Sequence, residues 1–387
     1  MIRNISIGID VGSQTIRVVV GEFSKGEKYP KVIGVGESET NGVRHGYIVN
    51  KNEATSSLKK AVAMAEKSSG IKIRRAFIGV GSVTLHSEVH LGNAVVSKAD
   101  GEVTSLDVNK ALENGENNLK LENKKVIQMF PLSYRLDGKE VLGKPEGMRG
   151  AKLEVKTLFV TCSNQHIEDL IEVVTGAGVD PVDIISSPVA SSHIALSERQ
   201  KVVGSAVVNI GAETVSLGVF EDGMLISLNV FSIGSSNITN DIALGLKIPI
   251  EKAEGLKLGN FSGEYPKKKL DEIIEARMED IFEKIENHLK KIKRNELLPA
   301  GIVFVGGGSA IPRLEELSKH TLKLPSKIGT TEIFENTKTK LRDPSWFTAL
   351  GLIIGNKDEK SYTEGTFPNL FKDLKESIKS IAKQLMP

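Results

Sequence analysis

The sequence has 387 residues but only one cysteine and one tryptophan. Cys162 has no second thiol to pair with, so the chain holds no internal disulfide and no thiolate metal cluster. A reducing cytosol fits that composition. The seven histidines are scattered and show no metal-ligand spacing. Charge of one sign is also lacking. The net charge is +2, which gives no broad basic field for RNA or DNA, so no nucleic-acid partner is expected. No uncharged apolar run is long enough to cross a bilayer. The first residues enter a strand-like run, Ile5-Ser6-Ile7-Gly8-Ile9, without the basic-then-apolar pattern of a signal peptide, so none is expected.

What is present is ordinary globular composition, 40% hydrophobic and 26% charged, in a chain longer than one core usually supports. Strand-like and helix-like patterns alternate, which places the chain in the α/β class. An internal repeat carries most information. Ile9-Asp10-Val11-Gly12-Ser13-Gln14-Thr15-Ile16-Arg17-Val18 reads as strand, tight glycine turn, strand, and so does Val208-Asn209-Ile210-Gly211-Ala212-Glu213-Thr214-Val215-Ser216-Leu217. Either copy alone is an ordinary β-hairpin. Two copies at equivalent places in two halves point to duplicated domains.

Between the copies, residues 53–70 form an amphipathic helical pattern with Leu58, Val62 and Ala65 on its apolar face and Gly70 as a stop. From about 83 to 160 the pattern changes to short strands, a helix near 106–119, and turns at Asp100-Gly101, Asp137-Gly138 and Pro145-Glu146-Gly147, which reads as an inserted α+β subdomain. Residues 270–294 read as a long helix with an apolar stripe and a basic end.

Gly12 and Ser13 carry little bulk, so backbone N–H groups at that turn can point at anionic oxygens. Asp10, at the strand end, can hold a hydrated Mg²⁺ or can simply cap the turn. A third element, Gly301-Ile302-Val303-Phe304-Val305-Gly306-Gly307-Gly308-Ser309, is a buried strand running into three glycines. Such a backbone can lie flat along a nucleoside or can be a flexible turn. It matches neither Gly-x-x-x-x-Gly-Lys-Ser/Thr nor Gly-x-Gly-x-x-Gly. Glu254 and Lys257 read as a helical ion pair three residues apart.

This order of elements resembles the actin-like (ribonuclease H-like) ATPases. Asn41-Gly42-Val43-Arg44-His45-Gly46, Pro145-Glu146-Gly147-Met148-Arg149-Gly150, Thr239-Asn240-Asp241-Ile242-Ala243 and Leu298-Pro299-Ala300-Gly301-Ile302 look like the FtsA family of bacterial cell-division actin homologues, over essentially the whole chain. The resemblance implies a two-lobed fold with a first lobe at 1–82 and 161–199. The insertion is at 83–160, the second lobe at 200–232 and 301–355, and a helical subdomain at 233–300. It implies an ATP–Mg²⁺ site with Gly12, Ser13 and Gln14 on one side of the phosphates. On the other side come Gly211, Ala212, Glu213, Thr214 and Gly234. Gly306, Gly307, Gly308 and Ser309 would lie along the nucleoside, with Glu254 and Lys257 near adenosine and Asp10 on the metal.

The second loop departs from the family's usual Asp-Ile-Gly-Gly-Gly-Thr: Asn209 cannot supply a negative charge, and Ala212 and Glu213 replace two glycines. Gly234-Ser235-Ser236 stands where two glycines usually pair. Weak hydrolysis with retained binding is the expectation, and Glu213 is expected to add an anion near the phosphates.

Residues 356–368 read as a polar linker, followed at 369–387 by a helix with Phe371, Leu374, Ile378, Ile381 and Leu385 on one face and Lys375 and Lys379 beside it. Such a helix can lie in a membrane interface, dock on the chain's own body or join a coiled coil. The family ends in a membrane-targeting helix, and the resemblance implies the first. It also implies self-association into filaments, binding of the FtsZ C-terminal peptide at the helical subdomain, contact with other division proteins, and a peripheral place on the cytoplasmic face of the membrane at the division site. Two other functions compete: a PilM-type pilus-assembly protein, whose relatives usually lack such a tail, and a sugar kinase, which needs a catalytic Asp in the cleft that position 209 no longer offers.

Overall fold

The computed structural model describes residues 4–260, 264–331, 333 and 339–355. The linker and C-terminal helix expected at 356–387 lie outside the described residues.

The chain divides into two compact units. The larger comprises the chain up to Glu88, Leu121–Met129 and Leu158–Gly355. Within it two sheets repeat one topology. The first has the order Asp180–Ser186, Arg75–Val80, Asn4–Val11, Thr15–Phe23, Lys31–Glu39. In the second the order is Ser326–Ile328, Ile302–Val305, Ser205–Ile210, Val215–Glu221, Met224–Phe231. In each, the first three strands are parallel and the last three form an antiparallel meander. The duplication expected from the repeat is present, and it extends to five strands per copy. The hairpin strands are apolar on both faces because both faces are covered, and Ile9, Ile16, Val18, Ile210, Val215 and Leu217 are fully buried.

Two short helices join the copies. Ser187–Ala195 starts with Pro188 in its first turn, where a missing N–H costs nothing. It packs on Ser205–Ile210 of the second sheet. Phe347–Ile354 is buried on every side. The sequence assigns it to the second lobe, but it packs on Asn4–Val11 of the first sheet. The two helices meet at Gly351, where a Cβ would stand 1.7 Å from the Ala190 carbonyl oxygen. Contact this close needs glycine, so the small residues of this helix serve helix crossing.

Three helices cover one face of the second sheet: Ser235–Leu246, Ile250–Lys257 and Lys267–Lys291. The last buries Leu270, Ile274, Met278, Ile281, Phe282, Ile285 and Leu289, a stripe at helical spacing, and carries basic residues in its last turn.

The smaller unit holds Val89–Lys120 and Phe130–Thr157. Its sheet is built on the strands His86–Val95, Lys152–Ser163, Lys124–Leu136 and Lys139–Val141, in that order. The helix Ser105–Asn117 is opened by a capping box between Thr104 and Asp107. It lies tightly on the sheet at Gly92, where a Cβ would come within 1.9 Å of the Ala111 carbonyl oxygen.

Candidate nucleotide cleft

The tips of the two hairpins line one cleft of about 330 Å³. The reason is the shared register. Asp10 is the penultimate residue of its strand and pairs with Arg17; Asn209 is the penultimate residue of its own and pairs with Ser216. The next turn of chain therefore projects from the same end of each sheet. Gly12, Ser13 and Gln14 line the cleft from the first sheet, and Gly211, Ala212 and Thr214 from the second. Each sheet adds the turn after its neighbouring parallel strand: Gly81 follows Arg75–Val80, and Gly306 and Gly307 follow Ile302–Val305. Gly306 has φ +85°, and a Cβ there would stand 2.2 Å from Asn209 Oδ1, so no other residue fits. Gly307 faces open space, which leaves its backbone free to approach a ligand.

Glu254 and Lys257 close one side of the cleft. The Lys257 ammonium is buried and donates to Glu254 Oε2 at 2.7 Å, to Thr239 Oγ1 at 2.9 Å and to the Ser235 carbonyl at 3.3 Å. All three of its protons are used. Burial lowers its pKa, opposed by the hydrogen bond and charge of Glu254. The pair is therefore a fixed part of the wall, more than the solvated helical pair that spacing alone suggests. Burial also pushes the Asp10 carboxyl up to about 6, with the Arg17 guanidinium drawing it back down in part.

Four expected residues do not line this cleft. Ser309 Oγ donates to the Gly306 carbonyl at 2.7 Å and holds the glycine turn from behind. Gly308 lies against Ile210, where a Cβ would come within 2.3 Å of its Cγ2. Gly234 sits beneath the second loop, 2.4 Å from the Ala212 carbonyl oxygen measured from where a Cβ would be. The Glu213 carboxylate, expected near the phosphates, turns away and bonds Arg44 and the His45 backbone. Its neighbour Ala212 faces the cleft instead.

Other residues line the cleft without having been expected. Arg17 does so, with its guanidinium 3.3 Å from Glu37 and 5.5 Å from the Trp346 ring centroid. Alternation along its strand was the available signal, since it shares a strand with buried valines yet breaks the apolar run. Gly81, Ser187, Ser216, Ser235, Asp343 and Ser345 also line it. These are small polar residues of the kind found in any loop, so spacing alone could not single them out.

The residues present suit a Mg²⁺–nucleotide. The Asp10 carboxylate stands at the strand end beside the first hairpin turn, Glu254 is tied to Lys257 in the wall, and small-residue turns from both sheets surround the cleft. Among the described residues no group of three or more His, Cys, Asp or Glu could hold a metal directly. Mg²⁺ is commonly held by one carboxylate, water and substrate phosphates, which needs no such group.

Comparison with known proteins agrees with the two-copy fold. A family model described as cell division protein FtsA matches residues 206–351, and one described as the SHS2 domain inserted in FtsA matches residues 83–161. The chain belongs to the FtsA family. The cell division protein FtsA of Bacillus subtilis is 29% identical over 369 residues, covering 90% of this chain and 82% of the relative. For the FtsA of Pseudomonas aeruginosa the figures are 26% over 377 residues, 92% and 90%. Among solved structures, a PilM–PilN type IV pilus biogenesis complex superposes with TM-score 0.69 at 16% identity, covering 90% of this chain and 98% of that one. The ethanolamine utilization protein EutJ of Carboxydothermus hydrogenoformans gives 0.56 at 17%, covering 92% and 90%. At such identities these structures show the actin-like fold alone. The FtsA family model that matches residues 206–351 spans the second hairpin, so the loop carrying Asn209, Ala212 and Glu213 lies inside a matched FtsA segment.

Proposed function

We propose that this chain binds ATP with Mg²⁺ in the cleft and acts in cell division as a filament-forming protein that links the FtsZ ring to the cytoplasmic face of the membrane. The observation that carries this reading is the convergence of both hairpin turns, Asp10, the Glu254–Lys257 pair and the Gly306–Gly307 turn on one cleft in a chain of the FtsA family. Asp10 is the metal-side carboxylate. Gly12, Ser13, Gln14, Gly211, Ala212 and Thr214 present small groups and backbone N–H to the phosphates, with Arg17 as a cation beside them. Glu254, Lys257, Gly306 and Gly307 take the nucleoside side. Bound Mg²⁺ would screen the phosphate charge; the chain's own groups bind and orient.

Among the described residues no helix is long and apolar enough to cross a membrane. Membrane attachment is assigned to 369–387, whose apolar and lysine faces suit an anionic lipid interface. The FtsZ C-terminal peptide is assigned to the helical part, 233–300. Self-association supplies the filament, and other division proteins join it. A pilus-assembly role is favoured by the PilM superposition only at the level of fold, whereas both matching family models are of FtsA.

The test is co-sedimentation with anionic liposomes in ATP–Mg²⁺, with and without FtsZ, for the full chain and for the chain lacking 369–387. The full chain is expected to carry FtsZ down with the vesicles and the truncated chain to leave it in solution. Equal sedimentation of the two chains would remove the membrane assignment.

A further inference from the structure

The turn at 41–48 has no part in the cleft beyond Gly46. Its short strands Val43–Arg44 and Tyr47–Ile48 pair, and the two residues between them, His45 and Gly46, both take left-handed backbone angles, φ +49° and +76°. Gly46 is wedged: a Cβ there would stand 2.7 Å from Ser82 Cα and 2.8 Å from the Gly81 carbonyl oxygen. This fixed tip presents three consecutive residues to the two hairpin turns. The Gly46 N–H donates to Ser13 Oγ at 3.0 Å. The His45 N–H donates to Glu213 Oε2 at 2.6 Å, and Arg44 Nη1 donates to Glu213 Oε1 at 2.7 Å. His45 Nδ1 lies 3.2 Å from the Glu213 carbonyl oxygen. One turn of the first lobe thus grips its own phosphate loop at Ser13 and the other lobe's loop at Glu213.

The Glu213 end of the grip lies outside the nucleotide cleft. A second cavity of about 370 Å³ lies beyond the loops; Ser13, Gln14 and Ala212 line both cavities, while Arg44 and Glu213 line only the second. Glu213 therefore does not compete with a ligand for the cleft. Its side chain is 15% exposed and Arg44 is 71% exposed. The carboxylate's bond to the His45 N–H is charge-assisted and held by a fixed backbone donor, whereas the Arg44 contribution comes from a long side chain open to solvent and salt.

We propose that Glu213 is a positioning residue for nucleotide exchange, which acts through Arg44 and His45 to tie the second phosphate loop to the first lobe and so slows both entry and exit of nucleotide. The proposal rests on the nucleotide reading of the cleft. A tie between the two sides raises the barrier to opening without touching the ligand, so losing it speeds association and dissociation together and leaves the affinity nearly unchanged. A residue that only shaped the loop would instead lower affinity or melting temperature.

Stopped-flow measurement with a fluorescent ATP analogue and Mg²⁺ on the full chain tests this. Glu213→Gly is expected to raise both rate constants about tenfold, and Arg44→Ala about threefold with loss of the salt dependence of exchange. Glu213→Gln, which keeps an acceptor for the His45 N–H but loses the charge, falls between. The double variant Arg44→Ala with Glu213→Gly should be no faster than Glu213→Gly alone, because both remove one interaction. Unchanged rates in Glu213→Gly, additive effects in the double variant, or a weakened affinity with unchanged dissociation overturn the proposal while leaving the nucleotide reading intact. Failure of the wild-type chain to bind the analogue overturns both.

Discussion

Asp10 and Asn209 occupy the same place in their two hairpins, each one residue from the strand end, yet they face opposite conditions. Asp10 pairs across the hairpin with a cation, Arg17; Asn209 pairs with a neutral hydroxyl residue, Ser216. The one acid of the second loop, Glu213, points out of the cleft to Arg44. The backbone frame is nonetheless the same, down to glycines at 12 and 211 and the parallel neighbour strand beyond. Register and small residues preserve a loop's shape, while its charge varies independently. Of the two equivalent hairpin positions, only the one in the first sheet, Asp10, carries a carboxylate.

Removing Asp10 is the largest expected perturbation of that asymmetry. Asp10→Asn should weaken Mg²⁺-dependent ATP binding on the order of 100-fold, measured by titration with and without Mg²⁺. The same substitution should stabilise the nucleotide-free protein near neutral pH. The Asp10 carboxyl is raised to about 6 from 3.8 by burial. The folded state then binds the proton more tightly than the unfolded state, so stability is greatest below the unfolded value and is lost as pH climbs through about 6. The full effect is at most about 3 kcal/mol, and less to the extent that the open cleft admits water. Melting curves between pH 4 and 8 should show the wild type falling relative to Asp10→Asn and levelling above about pH 6. Parallel curves would show that Asp10 is not strained by ionisation.

Restoring the second acid is the next step. Asn209 Nδ2 donates to Thr348 Oγ1 at 3.2 Å, and an aspartate there can accept from the same hydroxyl once it rotates, so Asn209→Asp fits without repacking. Single-turnover ATP hydrolysis is expected to rise about tenfold or more as a carboxylate is placed at the second hairpin, opposite Asp10. If turnover already matches that of an active family member and Asn209→Asp leaves it unchanged, the neutral residue at 209 is not what limits this chain.

The hairpin repeat was legible because near-continuous apolar strands flank a short glycine turn, a pattern that local sequence states completely. The long helix was legible from its stripe, although it runs Lys267–Lys291 and so ends before the expected Arg294. The first sheet's counterpart of the triple-glycine turn, which brings Gly81 to the cleft after the strand Arg75–Val80, carries no glycine run and so looks like an ordinary strand end. The packing of Phe347–Ile354 on the first sheet was equally hidden: a helix apolar on every side carries no mark of which sheet it faces. The direction of Glu213 depends on a turn 169 residues away in sequence, so no local pattern could give it. Lys257 was visible as a partner of Glu254, but its burial required the Ser235–Leu246 helix to lie over it.

The smallest expected effect compares the two hairpin glycines directly. A Cβ at Gly12 would stand 2.7 Å from the Thr15 carbonyl oxygen, while at Gly211 the equivalent approach to the Thr214 carbonyl oxygen is 3.0 Å. The first clash is with backbone that must move; the second asks for a few tenths of an ångström. Gly12→Ala should therefore cost about 1–3 kcal/mol of stability and Gly211→Ala about 1 kcal/mol or less, read as denaturant midpoints at unchanged slope. Both turns keep their frame in the wild type, so the ordering reports how tightly each is wound and not which one carries charge. A larger loss at Gly211 would mean that the second loop, held across to the first lobe by Glu213, tolerates less adjustment than its spacing implies, and that the tie to Arg44 and His45 stiffens it.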